Sequence, residues 1–233
     1  MPYAMHMSDG LVSPPTALAF GLIAVIGLAV AASRARRDLD DRTAPMAGLV
    51  TAFVFAVQMI NFPILPGASG HLLGGALVAI LVGPWVGSIC IAIVLVVQAL
   101  LFADGGLTAL GTSIFNMAFV GVFTGYLVAV ALRRFARRSR AGLITTAFVA
   151  GLVNVVLASL GFVLQYAIGG AGAIGLGTAF TLMVGLHTLI GIGEGVITAA
   201  TVGAVAAARP DLVYLLRGAR PELEIRRTEG ATS

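Results

Sequence analysis

Lysine is missing from this 233-residue sequence, and all 14 basic residues are arginine. A phosphate-binding loop of the GxxxxGK[ST] type requires a lysine, so the chain cannot hold that kind of ATP site. Cysteine occurs once, as Cys90, so neither a disulfide framework nor a thiolate zinc site can form within the chain. The hydrolase motifs GxSxG and HExxH are also missing. The sequence therefore gives no support to a hydrolase or an ATPase.

Charge is scarce as well. Charged residues make up 10% of the chain, against roughly a quarter in soluble domains. Hydrophobic residues make up 59%, and the mean hydropathy is +1.03, so a soluble form would expose large apolar patches. The net charge of +4 comes from arginine clusters between apolar runs, a pattern typical of membrane topology and not of nucleic-acid binding. We expect an all-α integral membrane protein of the cell membrane, in contact with lipid and without a nucleic-acid partner.

Seven apolar stretches are candidates for crossing the bilayer, and each is expected to be helical because lipid offers no partner to backbone polar groups. They lie near residues 16–33, 45–62, 71–83, 86–103, 112–132, 143–167 and 177–207. Only Gly83-Pro84 separates the third stretch from the fourth, so one long kinked helix is the alternative to two helices with a tight turn. Residues 1–208 are predicted to form the membrane domain, and 209–233 a cytoplasmic tail, partly helical or disordered.

The arginines distinguish six crossings from seven. With seven, three loops on one side of the membrane hold every basic residue of the chain, within 34–42, 133–140 and 209–227. With six, the second and third clusters fall on the side opposite the first. Because arginine-rich loops remain in the cytoplasm, we predict seven transmembrane helices, with the N-terminus outside and the C-terminus in the cytoplasm.

None of the three histidines falls in a predicted cytoplasmic loop. His6 lies in the segment MHMSDG, which begins at Met5, and His71 follows the turn-rich segment 63–70. A terminal amine, the next backbone nitrogen and an imidazole can form fused rings around one divalent ion. A second imidazole would complete a plane of four nitrogens, which suits nickel(II) or copper(II). The alternative is that His6 is an exposed terminal residue and His71 a helix cap.

Two further groups of polar residues are candidates for a role in the site. Asp104 follows the fourth apolar stretch, where it would fix an outer loop or orient a histidine ligand from behind. His187 and Glu194 share one face of the seventh helix. Ionisable groups inside a span are usually paired or functional, so this pair would form a proton relay, a substrate site or a polar clasp between helices.

Small residues form the last candidate feature. Gly48, Ala52 and Ala56 are spaced four apart in the second stretch, so they share one helical face. Faces of this kind let another helix approach closely. The second helix is either internal to the chain or supplied by a partner subunit.

Together these segments resemble the CbiM/NikM family, the substrate-capturing membrane subunits of energy-coupling-factor transporters for cobalt and nickel. The matching segments run in the family's order and cover most of the chain: MHMSDG from Met5, NFPILPGASGHLLGGALVAILVGPW from Asn61, QALLFADGG from Gln98, the pair Asn116-Met117 in SIFNM, and HTLIGIGEGVIT from His187. No single segment would be specific, whereas the set is.

The resemblance implies that the chain binds Co²⁺ or Ni²⁺ as transported ligand, carries no cofactor and is not itself an enzyme. It implies three metal ligands: the amine of Met5 and the imidazoles of His6 and His71. Polar residues of the same segments become supporting or structural candidates: Asp9, Asn61, Ser69, Gln98, Asp104, Asn116, His187 and Glu194. The implied partners are a transmembrane coupling subunit, cytoplasmic ATPase subunits and a small accessory membrane subunit, with the Gly48, Ala52 and Ala56 face docking the coupling subunit.

One feature departs from the family pattern. Residues 1–4 precede Met5, and an internal Met5 has an amide in place of the amine. We expect translation to begin at Met5 or a short leader to be removed. A stand-alone secondary transporter, driven by protons through His187 and Glu194, is the alternative function. The resemblance covers cobalt and nickel alike.

Overall fold

The computed structural model describes residues 6–217 and is mostly helical. Met5, a predicted metal ligand, and residues 218–233 of the predicted tail lie outside the described residues. The helices are α1 (Pro14–Ala35), α2 (Thr43–Gln58), α3 (Gly75–Val82), α4 (Pro84–Leu101), α5 (Leu110–Ile114), α6 (Val122–Ala131), α7 (Arg133–Arg138), α8 (Arg140–Gly169) and α9 (Leu176–Ala208). Strands β1 (Asn61–Leu65) and β2 (Ala68–His71) pair between α2 and α3, so the expectation of an all-α chain is wrong at this hairpin.

Five helical segments are long and apolar enough to cross a membrane, and each coincides with a predicted stretch: Pro14–Ala35, Pro84–Leu101, Leu110–Ala131, Arg140–Gly169 and Leu176–Ala208. Helix α2 has 16 residues and α3 has eight. At 1.5 Å per residue they measure about 24 Å and 12 Å, less than the roughly 30 Å of a bilayer core. The expectation of a multi-pass membrane protein is confirmed.

The third predicted helix is wrong at its start. Residues 68–71 belong to strand β2, whose partner β1 places Asn61 opposite His71, and helix α3 begins only at Gly75. The apolar run after His71 concealed this boundary, since a short buried run is compatible with a strand or a helix. The break between the third and fourth predicted stretches is confirmed as a tight turn, because Gly83, at φ +89°, separates α3 from α4.

The arginine-bearing loops meet at one end of the bundle. Arg133 donates to the carbonyl of Arg217 at 2.8 Å, and the Arg217 guanidinium donates to the Thr43 hydroxyl at 2.7 Å. Arg42 lies 3.7 Å from Asp211. The loop after α1, helix α7 and the segment after α9 are therefore neighbours in space.

The described part of the predicted tail packs onto the bundle at the same end. Residues 210–212 and 214–216 form two 3-10 turns, and Val213 and Leu215 are buried. The Tyr214 ring lies against Gly83, where a Cβ would come within 2.8 Å of it. Residues 209–217 are therefore part of the packed structure, while the boundary predicted at residue 208 stays a prediction for the rest.

Helix α3 occupies the centre of the bundle. All eight of its residues are buried, and helices α2, α4, α6, α8 and α9 contact it. Helices α8 and α9 pack closely through Gly151 and Gly195, whose backbones leave no room for a Cβ. A short helix buried on every side needs another element to satisfy its first N–H groups, which have no acceptor within the helix.

Residues 115–121 form a π-helix between α5 and α6, inside one continuous helical segment. Such segments are rare and occur frequently at functional sites. This one carries Asn116 and Met117, both buried, and both lie against the cavity described below.

Candidate metal site

The segment around residues 6–13 is held by three loops at the end of the bundle opposite the arginines. The loops are the β1–β2 hairpin, the connection between α4 and α5, and the connection between α8 and α9. Backbone hydrogen bonds join the segment to each of them: Ser8 N to Gly67 O (2.9 Å), Gly106 N to Met7 O (2.9 Å) and Ala171 N to Leu11 O (3.0 Å). These contacts carry His6 into the protein interior.

Asp9 anchors this segment through Thr108. Its carboxylate accepts from the Thr108 hydroxyl and from the Thr108 backbone N–H at 2.7 Å. These bonds hold the pKa of Asp9 below its ordinary value because they stabilise the charged form. The bond from the Thr108 hydroxyl has the largest effect. Gly106 makes the approach possible, since a Cβ there would collide with the backbone nitrogen of Asp9.

His6 and His71 meet in the interior. Both side chains are about 5% exposed, and their ring centroids are 4.4 Å apart with the planes tilted by 49°. A neutral imidazole is the form that binds metal.

The hydrogen bonds of the two rings define which nitrogens face the interior. Nδ1 of His6 lies 3.1 Å from Oδ1 of Asp104, and Nδ1 of His71 donates to the carbonyl of Leu72 at 2.9 Å. Each bond assigns Nε2 as the lone-pair nitrogen of the neutral ring. Nε2 of His6 is buried and has no hydrogen-bond partner among residues 6–217. A buried acceptor of this kind is a candidate metal ligand.

The fused-ring chelate expected from the sequence uses the other ring nitrogen of His6, and it stays a prediction because Met5 lies outside the described residues. Fused rings with the backbone nitrogen of His6 close through Nδ1, the nearer ring nitrogen, and this atom faces Asp104. The structure instead presents Nε2 of His6, with Asp104 behind the ring. A carboxylate at that place orients a metal-binding imidazole.

A cavity of about 50 Å³ lies beside the two rings, large enough for an ion or a few water molecules. His187, Asn116, Met117 and Ser69 line it together with His6 and His71. Within residues 6–217, no three His, Cys, Asp or Glu side chains are arranged to hold a metal ion. The two imidazoles therefore need a further ligand.

His187 and Glu194 contact different partners. Nδ1 of His187 donates to the carbonyl of Met183 at 2.7 Å, in the preceding turn of α9. The Glu194 carboxylate accepts the N–H groups of Leu73 (3.0 Å) and Gly74 (2.7 Å), the two residues that directly precede helix α3. Gly74 is the N-cap of that helix, so Glu194 holds the start of the central helix. This contact joins two helices, as expected of a clasp.

Two other sequence candidates, Gln98 and Asn116, hold segments near the histidines in place. The Gln98 carbonyl accepts the Asp104 N–H at 3.0 Å and so shapes the turn that presents Asp104. Asn116 donates to the carbonyl of Ala158 at 2.7 Å and joins the π-helix to α8. The sequence did not single out Thr108 or Met183, because each acts through a contact that no local motif reveals.

The small-residue face lies on the outside of the bundle. Gly48, Ala52 and Ala56 are all exposed. Gly48 and Ala52 line an apolar groove of about 660 Å³ between α2 and α4, together with residues of α4 such as Ile93. The face is therefore not used for packing within the described chain.

The chain is similar in sequence to a known family over most of its length. The model of the CbiM family, described as the cobalt uptake substrate-specific transmembrane region, matches residues 6–212. The chain belongs to the CbiM family. The match covers both histidines of the pair, the loops that hold them and the segment containing His187 and Glu194.

Relatives and solved structures agree with this assignment. The CbiM-family chain is 40% identical over 209 residues to a putative fused nickel transport protein NikMN of Archaeoglobus fulgidus, covering 90% of this chain and 68% of that protein. It is 31% identical over 226 residues to the cobalt transport protein CbiM of Sorangium cellulosum, covering 93% and 97%. A crystal structure of a transition metal transporter matches with a TM-score of 0.81 at 31% identity, covering 92% of this chain and all of that one.

Proposed function

We propose that this chain is the substrate-capturing membrane subunit of an ATP-driven importer of divalent cobalt or nickel ions. The observation that carries the proposal is the buried pair His6 and His71 beside a cavity, with Nε2 of His6 lacking a hydrogen-bond partner among the described residues. The chain belongs to a family described by cobalt uptake, and its relatives carry the names of nickel and cobalt transport proteins.

The ion is held by nitrogen. Nε2 of His6 and Nε2 of His71 are the two imidazole ligands, and Asp104 orients the first through its Nδ1. The amine of Met5 is the third ligand, in a chain whose first residue is Met5. Imidazole is a ligand that suits nickel, and the family description names cobalt.

The membrane domain crosses the bilayer seven times, with the histidine pair outside and the arginine loops in the cytoplasm. Support comes from the contacts among the three arginine-bearing segments, which lie at one end of the bundle. Strand β2 and helix α3 together make the third crossing, because Gly83 at the end of α3 contacts Tyr214 at the arginine end. Arginine-rich loops favour the cytoplasmic side.

Energy comes from other subunits. The chain has no lysine for a phosphate-binding loop, so cytoplasmic ATPase subunits act through a transmembrane coupling subunit, together with a small accessory membrane subunit. The coupling subunit lays an apolar helix into the groove lined by Gly48 and Ala52. Exposed small residues at four-residue spacing support close approach of a helix there.

Metal binding to the purified chain tests the capture function. Equilibrium dialysis with Ni²⁺ and with Co²⁺ should detect one tightly bound ion per chain. His71→Ala should lower the affinity by about 100-fold or more, since it removes a direct ligand. Thr188→Ala, an exposed change in α9, is the matched control and should bind as the parent does. Unchanged binding by the double variant His6→Ala/His71→Ala would refute the capture site.

The third ligand has a separate test. Mass spectrometry of the chain purified from its membrane should find Met5 as the first residue. Active protein with an intact Met1 or Pro2 terminus would exclude the amine and leave the two imidazoles as the proposed ligands.

A further inference from the structure

His187 lies about a third of the way along α9 from the end that carries the histidine pair. It is the twelfth residue of α9, about 17 Å along the helix axis from the first. Its side chain is about 6% exposed and lines the same cavity as His6 and His71. The outer pair does not account for a third buried imidazole in this position.

The His187 ring is set in the form that binds metal. Nδ1 donates to the carbonyl of Met183 at 2.7 Å, so Nε2 is the lone-pair nitrogen of the neutral ring. A histidine that served only to join two helices would bond across the interface. This one bonds within its own helix and directs its other nitrogen away from that bond.

Other potential ligands line the cavity with His187. Met117 and Met183, both buried, bring thioether groups from the π-helix and from α9. Asn116 also lines the cavity, but its Oδ1 lies against Gly161 of α8. Imidazole suits nickel and thioether suits softer ions, so His187 and the two thioethers together offer a weak mixed site.

We propose that His187 is the ligand of a second, inner position for the transported ion, which receives the ion after it leaves His6 and His71. The proposal rests on the proposed capture function. A divalent ion cannot cross an apolar interior without ligands, because the desolvation penalty is very large. The shared cavity provides the connection, and an inner site weaker than the outer one lets the ion move on.

Binding by a chain without the outer ligands tests the inner position directly. The double variant His6→Ala/His71→Ala should retain weak binding of Ni²⁺, measured by equilibrium dialysis at high metal concentration. Adding His187→Phe, which keeps an aromatic ring but removes both nitrogens, should abolish that residual binding. Residual binding unchanged by His187→Phe would overturn the proposal, as would the absence of residual binding in the double variant.

Uptake by the complete transporter provides the second test. His187→Phe alone should lower the uptake rate by about tenfold or more, while it should weaken Ni²⁺ binding less than His71→Ala does. His187→Cys, which restores a metal ligand, should recover part of the uptake. Thr188→Ala is the control on the exposed side of the same turn. Parental uptake with His187→Phe, or loss of binding as severe as with His71→Ala, would contradict an inner position.

The two proposals fail in different ways. If His71→Ala leaves Ni²⁺ binding intact, the capture function is wrong. If His71→Ala abolishes tight binding but His187→Phe leaves uptake unchanged, the capture function stands and only the inner position is wrong. Size-exclusion profiles of each variant exclude misfolding, and His187→Gln, whose amide can still donate to the Met183 carbonyl, serves as a second variant without an imidazole.

Discussion

Nδ1 of His6 lies 3.1 Å from Oδ1 of Asp104, although the two residues are 98 positions apart in the chain. Both side chains are almost fully buried. In the proposed capture site, Asp104 would fix the imidazole and leave Nε2 as the nitrogen available to a metal.

Replacing Asp104 should weaken capture without removing a ligand. We expect Asp104→Ala to lower Ni²⁺ affinity by about 10- to 100-fold, the usual effect of removing such a partner. Asp41→Ala, an exposed carboxylate at the opposite end, should have no effect in the same dialysis assay. An increase in affinity with Asp104→Ala would indicate instead that Nδ1 binds the ion in a fused-ring chelate and that Asp104 competes for it.

A methyl group at Gly106 should displace the segment that carries His6. Its Cβ would collide with the backbone nitrogen of Asp9, and backbone cannot yield as a flexible side chain does. We expect Gly106→Ala to lower Ni²⁺ affinity by about tenfold or more. Gly177→Ala, at a glycine with open space around it, is the control. Equal affinities for the two variants would show that metal binding does not depend on the contact between residues 6–13 and the α4–α5 connection.

Glu194 should matter for stability. Glu194→Ala leaves the N–H groups of Leu73 and Gly74 without their acceptor, at about 1–3 kcal/mol for each buried group. We expect a clear drop in the midpoint of thermal unfolding in detergent. Glu194→Gln should lose less, because its amide oxygen still accepts one bond. Abolished uptake in a Glu194→Gln chain of near-parental stability would instead support the proton relay.

The anchoring of Asp9 predicts a pH dependence. Because the folded pKa lies below the ordinary value of 3.8, the contribution of Asp9 is complete above that value and is lost as the pH falls through the lowered pKa. Hydrogen-exchange protection of residues 6–13 should be constant between about pH 5 and 8 and should decline below about pH 4. Thr108→Val removes the donating hydroxyl and should move this decline to higher pH. Coincident profiles for the parent and Thr108→Val would contradict this role.

The groove on α2 predicts a variant that separates assembly from capture. Ala52→Leu places a bulky side chain on the exposed small-residue face and should abolish co-purification of the coupling subunit, as judged by affinity capture from membranes. Ni²⁺ binding by the isolated variant should equal that of the parent. Leu22→Ala, on the exposed side of α1, is the control for changes on the lipid-facing surface. Intact co-purification with Ala52→Leu would place the docking surface elsewhere.

Much of the helical framework was predictable from the sequence because apolar length and arginine placement are global signals. An error of a few residues at a helix end changes neither the apolar length nor the side on which the arginines lie. The position of His71 was not predictable in the same way. The segments on either side of it are apolar, and nothing local distinguishes a strand that pairs with Asn61 from the first turn of a helix.

The meeting of His6 and His71 was predicted from the chemistry of two rare residues and from family resemblance. Their hydrogen bonds were not predictable. Which ring nitrogen faces Asp104, and that Glu194 reaches the N–H of Gly74, depend on how separate helices approach one another in space. Such contacts between distant segments are decided by packing, which a single sequence does not encode in any local spacing.

The π-helix between α5 and α6 alters how this part of the chain is compared with other proteins. The π-helical turn holds about one residue more than a regular α-helical turn. The side chains of residues 122–131 therefore point about 100° away from the directions that a regular helix continued from residues 110–114 would give them. A one-residue deletion among residues 115–121 would convert the π-helix to a regular α-helix. Either Asn116 and Met117 or the whole of α6 would then rotate away from the residues that they contact now. Gaps in alignments of this segment therefore carry structural information.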